Sequence, residues 1–245
     1  MRRAVTAAML LALGMPGAAA ALPVGLGSSP TPAFSLRLGV GLGYGLRELD
    51  NGREYRDSLR RLTVLGRVSA MVHDRVEVIG FFHGADGDRH LADFQGRMGM
   101  GGGGGARVWA LLQEQAGVNL GLGAVYGYTE NRGTTGDDDR RNRTGRHDDW
   151  LKEHQLQVDL VLSRRVQNWT VYGGALFDRV WLKQTYPSAI DEALYGPLGK
   201  AKGELPVGIV VGIDYFVTPL VFFSLEGQNF HEDALYASIG LLIAP

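Results

Sequence analysis

From Phe34 to Leu46 every second residue is apolar: Phe34, Leu36, Leu38, Val40, Leu42, Tyr44 and Leu46. A period of two puts these side chains on one face of an extended strand and excludes a helix, whose apolar positions recur every 3.6 residues. The intervening face holds Ser35, Arg37, Gly39, Gly41, Gly43, Gly45 and Arg47. So many glycines disfavour a helix and make a poor solvated sheet surface, so this face is expected to point into a crowded interior.

The alternation returns at 62–72, 76–82, 98–112, 118–128, 156–162, 169–181, 207–215, 221–225 and 235–243, which predicts ten strands, with eight or twelve as the alternatives. The 98–112 segment is the weakest of these, because Gly101 to Gly105 carry no pattern. Short connections at 73–74, 113–117, 164–168 and 217–219 alternate with polar connections at 50–58, 84–95, 130–152, 184–204 and 229–233, the last being the one short member of its set. Short turns at one end and long loops at the other, with an even strand number, are the pattern of an all-β, antiparallel up-and-down transmembrane barrel. No segment after the first twenty residues supplies the roughly 20 apolar residues of a helical span. A soluble barrel alternates equally well but must present a hydrophilic face to water, and the glycine-rich face is not one.

The first residues have the three parts of a secretory signal: Arg2 and Arg3, an apolar run at 4–13, and small residues at 17–21. The expected organisation is a signal peptide at 1–21 and an outer-membrane barrel at 22–245. Removing Arg2 and Arg3 from 25 basic and 26 acidic residues leaves 23 against 26, a net charge of −3, so no nucleic-acid partner is expected. The absence of cysteine excludes disulfides, thiolate catalysis and cysteine-ligated zinc.

Near the end of the chain Ser238, Gly240 and Ile243 have the spacing of a barrel-assembly signal, with Pro245 where an aromatic residue is usual. Architecture and this signal together resemble the small outer-membrane β-barrel proteins of Gram-negative bacteria, the OmpA-like group, without a C-terminal peptidoglycan-binding domain. The resemblance implies contact with outer-membrane lipid and lipopolysaccharide, and passage through periplasmic chaperones and the barrel-assembly machinery. It names no extracellular ligand.

The threading turns Arg37, Arg67, Glu77, Arg107, Asp159, Asp178, Asp214 and Glu226 inward, a charge network of both signs inside a narrow lumen. Such groups are costly unless paired or hydrated, so they either plug the barrel or line a narrow polar path. Plugging is the expectation for ten strands, because open aqueous channels belong to larger barrels. Catalytic candidates are few. Asp86, Asp88 and His90 lie on an outer loop beside inward-facing His83, an arrangement similar to the rim sites of omptin-like proteases, which activate water with acid and histidine pairs. Solvated loop charges are the preferred explanation of these residues, because acids and histidines are commonplace on polar loops. Gly99, Gly101 and Gly104 satisfy GxGxxG without the βαβ unit that a dinucleotide requires. Asp137 to Asp139 are offset by Arg140, Arg141 and Arg143, so neither metal nor cofactor is expected. The expected function is non-enzymatic: structural, surface-binding, or narrow passage of small polar solutes. A rim-site hydrolase and a soluble periplasmic ligand-binding barrel are the alternatives.

Overall fold

The computed structural model describes residues 30–50, 56–89, 94–135, 147–185, 200–203, 207–229 and 232–244. The proposed signal segment, His90 and the acidic run at 137–139 lie outside these residues. Ten strands close into one antiparallel barrel: β1 (Leu36–Asp50), β2 (Arg56–His73), β3 (Val76–Ala85), β6 (Gly99–Leu111), β7 (Asn119–Thr135), β8 (His147–Val166), β9 (Trp169–Thr185), β11 (Val207–Phe216), β12 (Val221–Asn229) and β13 (Glu232–Ile243). Each pairs with the next, and β13 returns to β1 in the register Leu36↔Ile243 through Arg47↔Glu232, so no edge is left open.

One end of the barrel carries tight turns. Asp74 and Arg75 join β2 to β3, and Gln167 takes a left-handed φ of 55° between β8 and β9. Between β6 and β7 the chain makes a single helical turn, α1 (Gln113–Ala116), stopped by Gly117 at φ 75°, where a side chain would be strained. These turns interlock: Gln113 donates from Nε2 to the Arg165 carbonyl at 2.9 Å and accepts from the Arg165 N–H at 2.8 Å.

At the other end, the rim, the strands run further than hydrophobic alternation predicts. β1 and β2 reach Asp50 and Arg56, and β7 and β8 reach Thr135 and His147, so the connections expected at 50–58 and 130–152 are shorter than their polar sequences suggest. Outside lipid both faces of a strand are polar, and the period-two contrast disappears while the hydrogen-bond ladder continues. Three short strands complete the rim: β4 (Asp88–Arg89), β5 (Phe94–Gly96) and β10 (Lys200–Gly203). β10 pairs with β9 on one side and with Leu49 and Asp50 of β1 on the other, crossing above the shorter β11, β12 and β13. The rim is consequently an eight-strand ring, β1-β2-β4-β5-β7-β8-β9-β10, on a ten-strand body.

The patternless glycine tract is continuous β6, with Gly101, Gly103 and Gly105 inward. A Cβ at Gly103 would strike the Phe81 ring, and one at Gly101 the His83 ring, so the tract makes room for two bulky inward neighbours on β3. The same device recurs between direct register partners: Tyr236 lies over Gly43, Tyr172 over Gly212, Phe222 over Gly240 and, on the outer face, Phe82 over Gly66.

Outward positions are aliphatic and uncovered. Val40, Leu42, Ile209, Val211 and Leu162 are each more than half exposed, the inverse of a soluble barrel. On β8 this belt runs from Leu162 to Leu156, bounded by Arg164 below and His154 above, ten positions apart. That matches the ~9–11 residues with which a tilted strand crosses a bilayer. Trp169 packs on Tyr215 at 4.4 Å between ring centroids at the turn end, and Tyr126, Phe82 and Trp181 are partly exposed toward the rim.

Candidate functional site in the barrel interior

The inward side chains form layers. At the turn end Phe216, Phe222, Leu242 and Leu65 make an apolar floor, with Phe216 and Phe222 5.4 Å apart. The Arg165 guanidinium covers the floor from outside, 4.3 Å from the Phe216 ring. At the rim Leu59, Leu151, Val180 and Leu182 make an apolar ceiling just below the eight-strand ring.

Between them lies a charged layer. Arg107 donates from Nε to Asp159 Oδ1 at 3.2 Å, pairs with Glu77 at 3.7 Å and stacks beside Trp109. Arg37 is electrostatically coupled to Glu77 and Asp214, and Arg67 to Glu77, Glu226 and Asp159. Ser224 donates to Asp214 at 2.7 Å; Tyr172 and Gln228 donate to Glu226 at 2.9 and 2.6 Å. The Asp178 carboxylate accepts from Gln155 Nε2 at 2.9 Å. None of the eight residues Arg37, Arg67, Glu77, Arg107, Asp159, Asp178, Asp214 and Glu226 is more than 7% exposed. Water touching the wall of an open path would expose them. Three arginines against five carboxylates, joined by hydroxyl and amide donors, instead form a compact polar filling.

A second polar layer, beneath the ceiling, is not anticipated by the alternation. Arg61 pairs with Glu153, both fully inside the barrel. Thr129 hydrogen-bonds His83 at 2.7 Å in this layer, whereas on the rim side of the ceiling Asp149 accepts from Gln184 at 2.9 Å. The available signal was parity: Arg61 and Glu153 occupy inward positions one or two steps beyond the apolar runs that begin at Leu62 and Leu156.

Of the candidate protease residues, His83, Asp86 and Asp88 are described, and His90 lies outside the described residues. His83 is buried and stacked on Phe81 at 5.9 Å. Asp86 accepts from the Leu62 N–H at 2.5 Å, and Asp88 from the Gly96 N–H at 3.1 Å, so both carboxylates organise rim backbone. Among the described residues no group of three acidic or histidine side chains is placed to hold a metal ion. In the assembly signal, Gly240 lies under the Phe222 ring and Ile243 is exposed outward. A cavity of about 840 Å³ opens at the turn end beside Pro30, Asp74, Gln113, Asn119 and Arg165 and reaches none of the eight network residues.

No family model matches this chain, and no curated protein matches it. Solved structures do. The translocator domain of the autotransporter NalP from Neisseria meningitidis superposes with a TM-score of 0.51 at 11% identity, covering 86% of this chain and 88% of that one. An outer membrane channel from Pseudomonas putida F1 gives 0.47 at 11% identity over 90% and 99%. The outer membrane protease OmpT from Escherichia coli gives 0.46 at 13% identity over 87% and 97%. The fold is that of the outer-membrane β-barrels.

Proposed function

We propose that the protein is a closed, non-conducting barrel of the outer membrane, a rigid structural scaffold that presents its extended rim strands and loops for binding at the cell surface. The burial of all eight interior charges carries this reading. A solute path would have to pass them, and each is already committed to a neighbour between two apolar layers. The aliphatic outer belt supports the membrane location. The turn end then faces the periplasm and the rim faces outward.

Planar-bilayer recording on the purified, refolded barrel tests the reading. No discrete conductance steps are expected across ±100 mV, whereas steps whose ion selectivity changes in Glu77→Gln would establish narrow passage instead.

A further inference from the structure

Above the aliphatic belt, the outer surface of β7, β8 and β9 changes composition in two steps. First comes an aromatic row of direct register partners, Tyr128↔His154↔Trp181, with Tyr128 5.0 Å from His154 and Tyr126 donating to or accepting from His154 at 2.6 Å. Next comes the row Glu130↔Lys152↔Lys183, continued by the backbone pairing of Lys183 with Lys200. Glu130 is engaged at one end, accepting from the Tyr128 hydroxyl at 2.6 Å and pairing with Lys152 at 3.9 Å. Arg132, on the next step, lies 3.9 Å over the Trp150 ring, and Arg179 flanks Trp181 at 5.8 Å.

Like charges placed directly opposite on one sheet face are destabilising, yet Lys152 and Lys183 are such a pair. Among the described side chains of these three strands, four outward cations, Arg132, Lys152, Arg179 and Lys183, stand against the Glu130 carboxylate. Toward the rim the other described strands expose mainly apolar side chains, Leu62 on β2, Met98 and Met100 near β6 and Val207 on β11, with Arg60 and Arg97 as isolated cations among them. The described outward cations thus cluster on β7, β8 and β9, and the cluster sits where a lipid's acyl chains would contact the belt, its sugar the aromatic row and its phosphate the lysines.

We propose that this face is a binding site for one phosphorylated, acylated glycolipid of the outer leaflet, with Lys152, Lys183 and Arg132 holding the phosphate and Trp181, Tyr128 and His154 packing against the sugar. A soluble anion would gain nothing from the aromatic row or the belt, and a phosphoglycerol lipid would leave the aromatic row without its sugar. Charge-assisted bonds from paired lysines to one phosphate also relieve the Lys152–Lys183 repulsion. The inference rests on the membrane reading given above.

Native mass spectrometry of the refolded barrel, loaded in detergent with bisphosphorylated lipid A, dephosphorylated lipid A or phosphatidylglycerol, tests it. Bisphosphorylated lipid A should bind about ten-fold more tightly than either other lipid, about 1.4 kcal/mol. That preference should fall to about two-fold in Lys152→Gln/Lys183→Gln and survive in the turn-end control Arg164→Gln. Equal binding of phosphatidylglycerol, or an unchanged preference in the double variant, overturns the assignment. Folding into vesicles is scored separately by heat-modifiable electrophoretic mobility. Failure of the parent to insert removes the membrane reading itself, whereas an inserted barrel without the lipid preference removes only the site.

Discussion

Glycine does different work on the two faces of a residue pair in this barrel. Thirty-six glycines would be a liability in most sheets, but here several stand opposite an aromatic residue whose ring folds across the missing side chain. Tyr236 on Gly43 is the simplest case, because the atoms that a Cβ at Gly43 would meet all belong to the Tyr236 ring. Gly43→Val should therefore destabilise the folded barrel by about 1–3 kcal/mol through overpacking, and Tyr236→Ala should recover a large part of that loss in the double variant. Urea unfolding in vesicles, followed by tryptophan emission, measures the coupling. Simple addition of the two single effects would mean that the ring and the glycine are independent. Glycine abundance was legible in the sequence as a crowded face; which ring covers which glycine was not, because that depends on register between strands far apart in the chain.

Strands are recognisable only where their two faces differ. Within the lipid belt that contrast is strong, so all ten strands and their alternation around Val40, Val64, Leu160 and Val211 were legible. Above the belt the outward residues Lys152, Trp150 and Arg132 are as polar as the inward Glu153 and Asp149, and the extensions of β7 and β8 were read as loop. β10 lacked any signal, since four residues, Lys200 to Gly203, owe their strand to two partners supplied by β9 and β1. The same contrast makes a measurable depth profile. Val40 faces outward in the middle of β1, whereas Phe34 lies at the turn end and is 80% exposed. Val40→Arg should cost ~2–4 kcal/mol of folding into bilayers, and Phe34→Arg only ~0–1 kcal/mol, read from refolding yields across a urea series. Equal penalties at the two sites would contradict a lipid belt centred on Val40.

At the scale of the molecule, closure is achieved in series. The apolar floor, the charged layer, the second polar layer around Arg61 and Glu153 and the apolar ceiling follow one another along the barrel interior, below a rim reduced from ten strands to eight. Parity alone turns the eight network charges inward, but their partners are not legible in the sequence, because Arg107 meets Asp159 and Glu77 across strands and Tyr172 reaches Glu226 from 54 residues away. The physical state of that layer is decided by what happens when its central cation is removed. In a dry, closed interior Arg107→Ala leaves Asp159 and Glu77 without their counter-charge and should destabilise by about 3–5 kcal/mol, with no conductance gained. In a hydrated lumen water would solvate the two carboxylates, stability would change little, and cations would be drawn into the path. If Arg107→Ala refolds as stably as the parent and passes cations in planar bilayers, the interior is wet, and the closed scaffold proposed for this protein must be replaced by a narrow channel.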